Sequence, residues 1–274
     1  MGPILFATYW NEIEWIEASL EQIDKINPSE IIICDGCYDP LKANRSTDGT
    51  REIIEQYVSE RTNARLISAV RLTRFQHILN WMRSLPHEDI NIFHPAKIRF
   101  IRRFIRTNVY RLNQAATFNK MIKLSNGFDV GSWFMTYDCD QFYDDSMIEQ
   151  FGQLSGLSSN MLTSKEKTFF GSFDSFTMDY EKRDYNNMPH KIFADTRFIP
   201  TRHPARIKDG QYVNCSDFED NKQFSGYVYH YHVKSPGRIS DGYSLGDRKP
   251  PEKLRTSTEK YTGKHPEIVS KHFL

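Results

Sequence analysis

Short apolar runs alternate, over residues 3–70, with stretches whose apolar positions recur every three to four residues. The runs 3–9 (PILFATY), 30–35 (EIIICD) and 65–70 (RLISAV) read as buried strands. Between the first two, Asn11 can cap a helix that carries Ile13, Ile16, Leu20 and Ile23 on one face, and Asn27-Pro28 stops it. Between the second and third, Thr47-Asp48-Gly49-Thr50 opens a helix with Ile53, Ile54 and Tyr57 on one side. Strand–helix–strand–helix–strand implies right-handed crossovers and a parallel sheet. Helical spacing returns from Asn108 to Leu124, and 132–138 (SWFMTYD) is a fourth apolar strand. From residue 160 onward the chain turns strand-rich and aromatic, with a final short helix predicted after Pro266. The pattern predicts a single α/β domain over 1–274, with a Rossmann-like, mainly parallel central sheet flanked by helices.

Residues 71–108 interrupt this order. Eight Lys or Arg stand there against Glu88 and Asp89, mixed with Phe75, Trp81, Phe93, Phe100 and Phe104. One reading is a lid or a patch for peripheral membrane contact, since basic and aromatic residues together suit anionic interfaces. The preferred reading is a helical insertion whose aromatics fill the core and whose arginines are solvated.

Composition narrows the classes. The formal net charge of +1 gives no global field to attract nucleic acid, so any basic function is local. The four cysteines (Cys34, Cys37, Cys139, Cys215) are too scattered for a disulfide framework, and Cys34-Asp-Gly-Cys37 lacks the second pair that zinc would require. Reduced thiols in a cytosol-like compartment follow. No run approaches the roughly 20 apolar residues of a spanning helix, and the start lacks a basic n-region. A soluble, cytoplasmic protein is expected.

In an open parallel sheet, ligands sit beyond the carboxyl ends of the strands. The first strand ends in Thr8-Tyr9-Trp10-Asn11-Glu12, the second in Asp35-Gly36, and the fourth in Asp138-Cys139-Asp140. No Gly-x-Gly-x-x-Gly follows the first strand and no Walker-type lysine loop is present. Asp138 and Asp140, at i and i+2, project to one side if the chain stays extended. Two such carboxylates repel unless a cation joins them, and a hard ion such as Mn²⁺ or Mg²⁺ suits oxygen ligands and phosphate alike.

These pieces resemble the inverting family 2 glycosyltransferases, which have the GT-A fold. The resemblance runs through Ala7-Thr-Tyr-Trp-Asn-Glu12, Pro28-Ser-Glu-Ile-Ile-Ile-Cys-Asp35 and Ser46-Thr-Asp-Gly-Thr-Arg-Glu-Ile53. It continues through Arg111-Leu-Asn-Gln-Ala-Ala-Thr-Phe-Asn119 and Trp133-Phe-Met-Thr-Tyr-Asp-Cys-Asp140. It covers residues 3–145 in family order, and the second half only through His230-Tyr-His-Val-Lys-Ser235 and Tyr261-Thr-Gly-Lys-His-Pro266. It implies a nucleotide-sugar-binding half over 1–145 and an acceptor and catalytic half over 146–274.

The resemblance also implies roles. Thr8 and Tyr9 would line the base, and Asp35 would hydrogen-bond it, typically uracil. Asn11, Glu12 and Arg111 would help hold the nucleotide. Asp138 would lie near ribose and metal, Asp140 would ligate Mn²⁺ or Mg²⁺, and His230 is the favoured third ligand. In Tyr227-Val-Tyr-His-Tyr-His-Val233, strand alternation sets His230 and His232 to one side and the tyrosines to the other. Lys234 and Arg238 would meet phosphates. The general base is assigned to Asp217, then Asp220, in Ser-Asp-Phe-Glu-Asp-Asn. Two departures from the family stand out: its frequent His-Glu pair is absent, and Gln141 replaces a common Glu. The expected activity is transfer of a sugar from a UDP-sugar to a glycan or other hydroxyl acceptor, with inversion. The alternatives are a nucleotidyltransferase and an inactive nucleotide-sugar-binding protein.

Overall fold

Four parallel strands make one side of the sheet: β1 (Ile4–Tyr9), β2 (Glu30–Asp35), the edge strand β3 (Ala64–Ser68) and β4 (Trp133–Asp138), in the order β3-β2-β1-β4. The computed structural model describes residues 2–83, 102, 105–183, 187–198, 204–208, 211–215, 221–232 and 259–274. Alternation along the central strands sorts their side chains into two layers. Leu5, Ala7, Tyr9, Ile31, Ile33, Met135 and Tyr137 pack with helices α1 (Ile16–Ile26) and α2 (Thr50–Ser59). Ile4, Phe6, Ile32, Cys34 and Phe134 pack on the opposite face with Ala115, Phe118 and Met121 of the helix Val109–Leu124. Burial on both faces is why these strands read as unbroken apolar runs.

Beyond β4 the sheet continues in antiparallel fashion. β5 (Gln141–Tyr143) follows the rim, and β6 (Met161–Phe170), β7 (Ser175–Arg183) and β8 (His190–Lys191) extend the edge in the order β4-β8-β6-β7. β9 (Arg197–Phe198), β10 (Pro204–Lys208) and β11 (Gln211–Asn214) form a separate small sheet. β12 (Asn221–His232) runs parallel to β6 and antiparallel to β5, and β13 (Glu259–Lys260) ends the sheet beside β7. The protein is therefore a mixed α/β structure with a central, mainly parallel sheet flanked by helices.

The remaining helices are α3 (Arg74–Arg83), α4 (Val109–Leu124), α5 (Asp145–Phe151) and α6 (Glu267–Phe273). Asn108 caps α4, its side chain accepting from the Arg111 amide at 2.9 Å. In α4, the buried Asn113 donates to the Tyr38 carbonyl at 2.9 Å and accepts from the Leu72 amide at 2.8 Å, fixing the loops after β2 and β3. α6 returns to α1, with the Phe273 and Trp15 rings 4.5 Å apart and Glu21 accepting from Lys271 at 2.7 Å.

One sequence expectation is corrected. α1 begins at Ile16, Asn11 does not cap it, and Ile13 is 43% exposed outside the helix. Asn11 instead takes a left-handed conformation (φ 54°), which asparagine tolerates better than most residues. Its amide donates to Ser46 Oγ at 2.8 Å and its side chain accepts from the Thr47 amide at 2.9 Å. The residue is committed to a distant loop rather than to the helix.

Among the described residues, no helix is long and apolar enough to cross a membrane. Of the basic stretch, α3 is described, with His77 buried and Phe75 68% exposed. Residues 84–101, 103 and 104 lie outside the described residues.

Candidate active site

Parallel register brings three strand ends level. Thr8 stands beside Asp138 on one side and Cys34 on the other, and Tyr9 stands beside Asp35. Neighbours in register share a face, so Thr8 and Asp138 turn toward the α4 layer while Tyr9 and Asp35 turn toward the α1 and α2 layer. Tyr9 is buried in that layer, its hydroxyl 2.8 Å from Ser19 Oγ, and burial pushes the phenol well above its ordinary value. It does not stand on the rim. Thr8 is half-buried and does.

Asp35 is the hub of the loop after β2. Its Oδ1 accepts from the Ser46 hydroxyl at 2.5 Å and the Ser46 amide at 3.2 Å, and its Oδ2 pairs with Arg51 Nη1 at 3.3 Å. Burial raises its carboxyl above the usual value, against the lowering by Ser46 and Arg51. The side chain has no exposed surface, so in this conformation nothing outside the protein touches it. The same loop holds the segment after β1: the Glu12 amide donates to Thr50 Oγ1 at 2.8 Å and the Ile13 amide to Asp48 Oδ2 at 3.1 Å. The Ser-Thr-Asp-Gly-Thr run is thus a clamp between two strand ends. Gly36 allows it: its φ is 145°, and a Cβ there would lie 2.5 Å from the Asn44 carbonyl oxygen. Glu12 is itself buried. Arg111, on the first turn of α4, is half-buried and donates to Gln114 Oε1 at 2.8 Å. That turn adjoins the loop after β2, since Tyr110 meets Tyr38 edge-on at 5.2 Å.

Asp138 and Asp140 part company. β4 ends at Asp138 and the chain turns at Cys139 and Asp140, so the extended geometry that would align the two carboxylates does not persist. Asp138 Oδ2 accepts from Asn187 Nδ2 at 3.2 Å. Asn187 also donates to Gln141 Oε1, and its Oδ1 accepts from the Thr136 hydroxyl at 3.2 Å. Asp140 faces the second half of the chain: its carbonyl accepts from the Tyr231 amide at 2.8 Å, and its Oδ1 lies 3.6 Å from His230 Nε2. The other ring nitrogen of His230, Nδ1, is 3.0 Å from Glu166 Oε1. Tyr229 and Tyr231 point to the opposite face of β12, where they stack on Phe169.

Among the described residues, no three His, Cys, Asp or Glu side chains gather into a metal site by themselves, so Asp138, Asp140 and His230 do not form such a group. Asp140 and His230 nonetheless suit a shared ion. Their 3.6 Å separation is within ion-pair distance but too long for a hydrogen bond. Two ligands each about 2.1 Å from one ion stand roughly 3–4 Å apart. An ion of the Mg²⁺ type takes one or two protein ligands and fills its remaining positions with phosphate oxygens and water.

Asp217, Glu219 and Asp220, like Lys234 and Arg238, lie outside the described residues. Sequence reasoning missed Ser46 and Arg51 as partners of Asp35, and it missed Glu166 and Asn187 altogether. Cys34, Cys37, Cys139 and Cys215 are buried, and none is joined in a disulfide. The chain matches no protein-family model and no curated protein sequence.

Proposed function

We propose that this protein is a metal-dependent glycosyltransferase, which passes a sugar from a nucleotide-sugar, in the first instance a UDP-sugar, to a hydroxyl acceptor with inversion. One observation carries the reading: Asp140, just past the carboxyl end of β4, meets His230 of β12 at 3.6 Å, on the rim where Thr8 and Asp138 also end. A carboxylate and an imidazole so placed, beside the carboxyl ends of parallel strands, are what a metal-bound diphosphate needs.

Asp140 and His230 are assigned to hold Mn²⁺ or Mg²⁺. The bound ion would neutralise charge on the leaving diphosphate. Asp138, held by Asn187, is assigned to the ribose side of the crevice, and Thr8 and the Tyr38–Tyr110 corner to the base side. Asp35 acts there indirectly, by clamping the 46–51 loop that walls the crevice. This replaces the direct hydrogen bond to uracil that the resemblance implies, because the carboxylate is sealed by Ser46 and Arg51. The acceptor proton goes to a carboxylate on the far face of the sugar, assigned to Asp217 and then Asp220.

The test is incubation with a panel of nucleotide-sugars and Mn²⁺, following slow donor hydrolysis. Hydrolysis of one donor, abolished by EDTA and restored by Mn²⁺, is expected. Binding without turnover across the panel and a range of acceptors would indicate a non-catalytic nucleotide-sugar-binding protein. Binding of no donor would remove the reading. With a productive acceptor, NMR of the product's anomeric proton should show inversion.

A further inference from the structure

We infer that Glu166 is a positioning residue for His230: it holds the proton on Nδ1 and turns Nε2 toward Asp140, and so sets how tightly the Asp140–His230 pair binds a divalent ion. The inference rests on the metal-dependent reading above.

Register supplies the placement. In the parallel β6–β12 pair, Thr168 lies beside His230 and Glu166 beside Val228, so Glu166 and His230 are diagonal neighbours on one face. Glu166 Oε1 is 3.0 Å from His230 Nδ1 and also accepts from the Thr168 hydroxyl at 3.0 Å, which steadies it. A carboxylate in its ionised form can only accept, and in that form the contact leaves the proton on Nδ1. The ring then turns Nε2 toward Asp140, 3.6 Å from its Oδ1.

Exposure separates the roles. The side chains of His230 and Asp140 are 13% and 11% exposed, whereas that of Glu166 is 1% exposed. Glu166 lies behind the imidazole, out of reach of any ligand. The other face of the strand pair is anchored as well: Tyr231 stacks on Phe169 at 4.7 Å, and its hydroxyl is 2.8 Å from His265 Nδ1. Rotation of β12 that would carry His230 away is thereby opposed. A carboxylate behind a ligating histidine fixes ring orientation and raises ligand basicity, and its loss typically costs 10- to 100-fold in metal affinity.

Two measurements test this. Long-range nitrogen–proton NMR on histidine-labelled protein, at mildly alkaline pH without metal, reads the His230 tautomer, with His230→Gln supplying the assignment. Wild type and Glu166→Gln, which keeps an acceptor, should be protonated at Nδ1, and Glu166→Ala should shift toward the Nε2-protonated form. Calorimetry of Mn²⁺ with UDP present should show affinity about 10- to 100-fold weaker in Glu166→Ala and near wild type in Glu166→Gln. A wild-type His230 protonated at Nε2 overturns the inference, and that result stands even if Glu166→Ala fails to fold. Mn²⁺ binding lost in Asp140→Asn but unchanged in Glu166→Ala overturns this inference alone. With the predicted tautomer in place, failure of wild type to bind Mn²⁺ removes the glycosyltransferase reading, and the metal half of the inference with it.

Discussion

The loop after β2 and the face shared by β6 and β12 each hold a buried carboxylate, and the two are used in opposite ways. Asp35 is surrounded by donors from its own neighbourhood, Ser46 and Arg51, and is closed to anything else. Glu166 passes its influence outward, through His230 to Asp140, which keeps surface on the rim. A carboxylate at the end of a parallel strand sits where ligands bind. Whether it touches one depends on the donors that the following loop brings back over it. Here the motif-rich first half builds the frame, and the second half, with thin motifs, brings the imidazole to the metal candidate.

The largest effect expected from this contrast is on turnover. Asp140→Asn and His230→Gln should each lower Mn²⁺-dependent donor turnover by about 10²-fold or more, comparable to about 2.7 kcal/mol of lost transition-state stabilisation. Their melting temperatures should stay close to wild type, because each substitution is close to isosteric and removes no core packing. Variants that melt early and lose activity in proportion would make Asp140 and His230 framework residues and erase the contrast.

Ser46→Ala should show the converse. It removes the hydroxyl between Asp35 Oδ1 and the Asn11 amide, leaving a buried carboxylate short of a donor. A loss of about 1–3 kcal/mol is expected, read as a lower midpoint in thermal or urea unfolding. Mn²⁺ affinity should hardly change. A variant as stable as wild type would mean that Asp35 does not clamp the loop.

The smallest effect is a pH dependence. Burial raises the Asp35 carboxyl above its ordinary value of 3.8, so the folded protein holds this proton more tightly than the unfolded chain does. The contribution of Asp35 to stability is therefore fully present below the ordinary value and is lost as pH rises through the folded one. Unfolding free energies measured across the acidic range should lose this downward slope in Asp35→Asn. An identical profile in the variant would show that Ser46 and Arg51 fully offset the burial.

The frame was legible in the sequence for a physical reason. β1, β2 and β4 are covered on both faces, so their apolar runs are continuous, and β2 spans the same Glu30–Asp35 in sequence and structure. Asn27 ends α1 in a left-handed conformation, and Asn108 caps α4, as local chemistry predicts. The start of α1 was not legible, because Asn11 answers to Ser46 and Thr47, partners 35 and 36 residues away. The alternation in β12 located His230 opposite the tyrosines. Nothing local marked Glu166 or Asn187. Each is a single polar residue whose meaning comes from strand register, and the β6–β12 register itself shifts between Gln223 and Tyr227.

The central claim is that Asp140 and His230 hold a divalent ion that in turn holds a nucleoside diphosphate. Its most direct test is calorimetric titration of UDP into wild-type protein with and without Mn²⁺, and into Asp140→Asn with Mn²⁺. Wild type should bind UDP clearly with Mn²⁺ and lose most of that affinity when either the ion or the Asp140 carboxylate is removed. UDP binding of equal strength in all three titrations, or in none, would contradict it.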